Sequence, residues 1–267
     1  MCLLLISYDM HPVYRVVLAA NRDEYYNRPT APLAFWNDMP DILAGRDLKR
    51  SGTWLGVTRT GRIAAITNYR EPALRYENAP SRGHLVSNFL QGLESPENYL
   101  NHIKSSGHRY NGFNLIVGDW SGLFYYSNMA DNIKKLKPGL FGLCNHLLDT
   151  PWPKVEKGKA AFSALLDGKQ TIDIEDIFSI LENRTLPPDD MLPDTGVGLS
   201  WERVLSPLFI FSPDYGTRSS SIVFVERTGK LTFAERTFDP LHAESSEETT
   251  RTFSILPEPC MKIDENL

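Results

Sequence analysis

Pairs of short apolar runs, each joined by a tight polar turn, constrain the fold of this chain most. Residues 2–9 (CLLLISYD) and 14–23 (YRVVLAANRD) flank a turn carrying Pro12. Residues 52–58 and 62–69 flank a turn at Gly61, 113–119 and 122–128 flank Trp120-Ser121, and 221–227 and 230–236 flank Thr228-Gly229. Each pair reads as a β-hairpin, and residues 248–256 add a further strand. The runs are apolar on both of their alternating faces, so each sheet is expected to be covered on both sides. Helical apolar spacing occurs in four places: 84–93, 96–106 behind Pro96, 152–166 and 174–184. Helices clustered between groups of antiparallel strands indicate α+β rather than alternating βαβ, and a four-layer αββα sandwich is the expected arrangement.

A chain of 267 residues suffices for one large domain, expected over 1–256, with a tail at 257–267. Residues 187–201 (PPDDMLPDTGVGLSW) read as a long loop, a linker or a lid. A net charge of −5 without any Lys/Arg block argues against nucleic acid and anionic membrane as partners. The first residues are too short an apolar run for a signal peptide, and no run approaches the length of a membrane span. Cys2, Cys144 and Cys260 are widely spaced and lack a C-x-x-C pair, which suits a reducing, cytoplasmic setting. The six histidines show no metal-binding spacing, and no cofactor is required by any motif.

Cys2 carries the chemical interest. Removal of Met1 would place a thiol and a free α-amine on one residue. Such an amine titrates at about 7.7–8.0 and serves as a base near neutral pH, while the thiolate is a strong nucleophile. Asn21, Arg22 and Asp23 end the second predicted strand, and hairpin pairing returns that end to Cys2. An arginine there favours the thiolate, and an aspartate orients an ammonium. Read alone, Cys2 is first a small buried residue opening a strand, Asn145 a turn residue, Arg218 a surface charge, and Trp54 and Tyr69 core-packing aromatics before they are pocket walls.

The segments MC, AANRDEYYNRP, GTWLGVT, AAITNYREP, YNGFNLIVGD, CNHLLDTPWPK and YGTRSSSIVF, in this order and reaching to about Phe253, resemble the NRDE family, that of transport and Golgi organisation protein 2. That family is similar in fold to the N-terminal-nucleophile (Ntn) hydrolases, above all the cysteine type of bile-salt hydrolases and penicillin V acylases. The resemblance implies Cys2 as nucleophile, Arg22 and Asp23 as the strand-end pair, Asn145 as an oxyanion-hole amide and Arg218 as a late arginine. It leaves either Asn21 or Arg22 for the position the hydrolases give to their first arginine, and offers Asn68 as a second oxyanion contributor, with Tyr69 and Trp54 beside the site. Cys2, the Arg22–Asp23 pair, Asn145 and Arg218 are therefore expected to line one pocket. Two functions follow from the resemblance: hydrolysis of a C–N amide bond in an N-acyl small molecule, or non-catalytic handling of haem or acyl-CoA, with haem as a bound ligand.

Overall fold

The computed structural model describes residues 2–74, 76–238 and 249–256. The acidic segment 239–248 and the tail 257–267 lie outside the described residues. Two antiparallel sheets form the centre. The first contains β1 (Cys2–Tyr8), β2 (Tyr14–Tyr25), β10 (Gly139–Leu143), β11 (Tyr215–Glu226), β12 (Leu231–Thr237) and β13 (Thr249–Ile255), in the order β10-β1-β2-β11-β12-β13. The second runs in chain order through β3 (Thr30–Phe35), β4 (Ile42–Asp47), β5 (Leu55–Thr58), β6 (Ile63–Asn68), β7 (Phe113–Asp119), β8 (Gly122–Ser127) and β9 (Asn132–Lys135). The four hairpins expected from sequence are β1–β2, β5–β6, β7–β8 and β11–β12.

Strand alternation sorts the apolar side chains into layers. Leu4, Ile6, Leu18 and Ala20 of the first sheet meet Leu43, Val57, Ala65 and Ile116 of the second in a core between the sheets. The intervening residues Leu3, Leu5, Val17 and Ala19 face outward, under α3 (Pro153–Leu166) and α4 (Ile174–Leu181). On the far side, Ala64, Ile66, Leu115 and Val117 pack under α1 (Gly83–Gln91) and α2 (Pro96–Ser106). The result is the four-layer αββα sandwich. The helix starts are chemically marked. The Ser95 hydroxyl accepts from Asn98 N at 3.3 Å ahead of Pro96, and the Asp173 carboxylate accepts from Glu175 N at 3.0 Å.

The segment expected to be a loop at 187–201 is more structured than its composition implies. A single helical turn forms at Asp189–Met191, and α5 (Leu199–Leu205) begins inside the segment. Gly198 precedes it at φ 83, a left-handed conformation that favours glycine and turns the chain sharply into the helix.

Candidate active site

The sheet registers bring the sequence candidates to one end of the first sheet. Cys2 lies opposite Arg22. Arg22 in turn lies opposite Ser219 of β11, and Ser219 opposite Thr237 of β12. On the other side of β1, Leu4 lies opposite Leu143, the last residue of β10, and Asn145 follows two residues on, in the bend past the end of that strand. Cys2, Arg22, Ser219 and Thr237 thus form one row of backbone positions across β1, β2, β11 and β12, and Asn145 follows just past the end of the neighbouring β10. The ladder between β2 and β11 slips between Thr217 and Ser219, which leaves Arg218 as the extra residue of a β-bulge.

The side chains in this row have separate tasks. Arg22 is buried, and its guanidinium lies 4.3 Å from the centre of the Trp54 ring. Its Nη1 has no hydrogen-bond partner among the described residues. Asp23 is also buried. Its Oδ1 accepts from the Thr217 hydroxyl at 2.8 Å, and its backbone carbonyl accepts from the Tyr215 hydroxyl at 3.1 Å. Burial pushes the Asp23 carboxyl above its ordinary range, opposed by the nearby Lys154 ammonium, the Thr217 hydroxyl and Arg22. Lys154 is itself buried and donates to the Leu205 carbonyl at 2.8 Å.

Asn145 is fully buried. Its Nδ2 donates to the Asn68 carbonyl at 3.0 Å, while its Oδ1 accepts from the Cys144 thiol at 3.2 Å and from Arg70 Nη2 at 3.4 Å. An amide nitrogen carries two hydrogens, and the second has no acceptor among the described residues. It is the carbonyl of Asn68, rather than its half-buried amide, that touches Asn145. Tyr69 is half-buried and packs its ring 4.8 Å from that of His146.

Two candidates stand apart from the others. Asn21 points to the helical side: its Nδ2 donates to the carbonyls of Leu181 at 2.8 Å and Leu208 at 2.9 Å, and its Oδ1 accepts from the Ser220 hydroxyl at 2.6 Å. Strand alternation puts Arg22 on the inter-sheet side and Asn21 on the other, so Asn21 is a structural tie rather than a group presented to a ligand. Of the two residues open for the first arginine position, Arg22 is the one opposite Cys2. Arg218 donates through Nη1 to the carbonyls of Tyr25, Tyr26 and Arg28, at 3.0–3.1 Å, and so closes the turn after β2 instead of converging on Asn145. No group of three or more His, Cys, Asp and Glu side chains with metal-binding geometry occurs among the described residues.

A family model described as Transport and Golgi organisation 2 matches residues 1–240. The chain belongs to that family. The Transport and Golgi organization protein 2 homolog of Bos taurus is 35% identical over 96% of this chain and 99% of its own length. The Homo sapiens homolog is 37% identical, with the same coverage of 96% and 99%. A solved structure of conjugated bile acid hydrolase from Clostridium perfringens superposes with a TM-score of 0.55 at 10% identity, covering 97% of this chain and 94% of the other. This family member therefore has the fold of an Ntn hydrolase.

Three residues at the site of this transport and Golgi organisation 2 family member were not singled out from sequence: Arg70, Lys154 and Glu202. Arg70 sits one residue past Tyr69 in the ITNYRE segment and looks there like any surface arginine. Glu202 lies just past the apparent loop, in α5, and pairs with Arg70 at 2.6 Å. Both are buried, so the pair replaces water on each charge. Only burial separates such residues from exposed charges, and burial is not written in local sequence.

Proposed function

We propose that this protein hydrolyses the C–N amide bond of an N-acyl small molecule, with Cys2 as the nucleophile once Met1 is removed. The observation that carries the reading is the row Cys2–Arg22–Ser219 with the buried Asn145 just past the end of β10, residues spread over more than 200 positions of chain. The name of the Clostridium perfringens neighbour, a conjugated bile acid hydrolase, supports an amide-cleaving chemistry on this fold, although fold alone does not fix reaction.

In this mechanism the α-amine of Cys2 takes the thiol proton, and the thiolate attacks the acyl carbonyl carbon. A C–S bond forms and the carbonyl electron pair moves to oxygen. The second amide hydrogen of Asn145 stabilises that oxyanion. Collapse breaks the C–N bond, and the departing amine takes the proton from the α-ammonium. Water, deprotonated by the same amine, then attacks the thioester and releases the acid. Asp23 orients the ammonium, and Arg22 favours the thiolate.

The test uses protein verified by intact mass to lack Met1 and a panel of N-acyl amides of varied chain length. Turnover is expected with at least one class, lost in Cys2→Ala and reduced about 10²–10³-fold in Asn145→Ala. No turnover across the panel, together with tight binding of haem or acyl-CoA that survives Cys2→Ala, would replace hydrolysis with the carrier function.

A further inference from the structure

Asn145 is useful to an oxyanion only if its amide presents nitrogen rather than oxygen toward the reacting carbonyl. The two ends of an asparagine amide have nearly the same shape, so the orientation is set by what each end touches. Here the oxygen end faces Arg70 Nη2 and the Cys144 thiol, and the nitrogen end faces the Asn68 carbonyl on the second sheet. The backbone N–H of Arg70 also donates to the Asn145 carbonyl at 2.7 Å. Arg70 thus grips Asn145 by both main chain and side chain.

Arg70 is held in turn. Its Nη1 lies 2.6 Å from Glu202 Oε2, with side-chain exposures of 6% and 3%, the only ion pair among the described residues with both members under a tenth exposed. The other carboxylate oxygen of Glu202 accepts from the backbone N–H of Thr195 at 2.9 Å and from its hydroxyl at 2.5 Å. A chain of polar contacts therefore runs from Thr195 through Glu202 and Arg70 to the amide of Asn145. Segment 195–202 carries Gly196 and Gly198, both at positive φ with open space around them. A small cavity lined by Arg70, Trp152, Lys154, Pro193 and Glu202 lies where this segment meets the body.

We propose that Arg70 is a positioning residue that fixes the amide of Asn145 with its nitrogen toward the inter-sheet space, and that Glu202 makes this orientation depend on the seating of segment 195–202. The inference rests on the acyl-transfer reading for its catalytic consequence, while the orientation of Asn145 is measurable without it. Two readouts keep these apart. The first is the side-chain amide signal of Asn145 in protein carrying isotope-labelled asparagine, with hydrogen exchange at residues 68–70 and 193–198. The second is the rate of acylation by an N-octanoyl aminocoumarin.

Glu202→Gln and Arg70→Met are expected to shift the Asn145 signal and to speed exchange in both segments. Arg203→Ala, one residue past Glu202 in α5, breaks a surface pair with Asp189 of the preceding helical turn and should leave residues 68–70 and the Asn145 signal unchanged. Acylation should slow about tenfold or more with KM altered less than about twofold, since misplacing one reacting partner lowers the rate more than the binding. The effect of Arg70→Met should vanish in an Asn145→Ala background. Arg70→Lys, which keeps charge for Glu202, is expected to fold and still shift the Asn145 signal. An unchanged Asn145 signal in both Arg70→Lys and Glu202→Gln, or additive rate losses with Asn145→Ala, would overturn the inference. A shifted signal in wild-type-like folded variants, with no acylation of the wild type, would uphold the positioning role and remove the hydrolase reading instead.

Discussion

Asn21 and Glu235 show how a buried polar residue is judged by its partners. Asn21 satisfies two main-chain carbonyls from different elements and one hydroxyl. Asn21→Ala strands all three, and each stranded buried group costs on the order of 1–3 kcal/mol. A loss of roughly 3 kcal/mol in denaturant unfolding is expected, well above that of an exposed asparagine such as Asn132. Glu235 is buried and accepts from Leu33 N at 2.7 Å. Burial raises its pKa from 4.5, so the folded state holds the proton more tightly than the unfolded chain does. The stability this carboxyl contributes is therefore full below about 4.5 and is lost as pH rises through its raised native value. Glu235→Gln removes that titration. The stability of wild type relative to Glu235→Gln should fall across this window in urea titrations at stepped pH, and a constant difference would contradict the assignment. Single residues of this kind were the least legible in the sequence. Cys2, Asp23 and Asn145 carry a role that the recognisable segments imply, whereas Arg70, although inside one of those segments, and Glu202 owe their importance to a buried contact between positions 132 apart.

At the level of elements, hairpins were legible because two short apolar runs joined by a tight turn, with Gly61, Gly229 or Pro12 in it, have few other readings. β3 and β4 were not. β3 contains Pro32, which cannot donate to a ladder, and its register with β4 is interrupted between Ala31 and Ala34. The N–H of Leu33 goes instead to Glu235 of the other sheet. α5 was hidden because seven residues carry little periodicity and Pro, Gly and Asp crowd its approach. The bulge in β11 is likewise invisible locally, yet it decides where Arg218 goes. Gly216, just before it, admits no side chain: an added Cβ would lie 2.2 Å from the Tyr26 hydroxyl and 2.5 Å from the Ile210 carbonyl. Gly216→Ala is expected to cost about 1–3 kcal/mol by forcing β11 off its partners. It should also speed hydrogen exchange at Thr217, which donates to Ile210 O at 2.8 Å. Protection unchanged at Thr217 would contradict this account of the strand entry.

Across the whole molecule, two sheets clamped between two helical layers give Cys2 a rigid frame whose members arrive from every third of the chain. The layer order was legible from apolar strands with two covered faces and from helices grouped between hairpins. Only the resemblance pointed to Asn145 as a companion of Cys2; the β10–β1 pairing that brings its segment to the same sheet spans 130 intervening residues of sequence order, which no local pattern encodes. In the proposed acyl transfer, Cys2 is the reactive nucleophile of this frame. The direct measurement is intact-mass and peptide mapping of Met1-free protein after brief exposure to an N-acyl electrophile at stepped pH. One adduct is predicted, on Cys2, forming faster as pH rises through about 6–8 while the thiol and α-amine lose protons. Buried Cys144 should remain unmodified in folded protein. An unmodified Cys2 across that range, or labelling that favours Cys144 or Cys260, would contradict it.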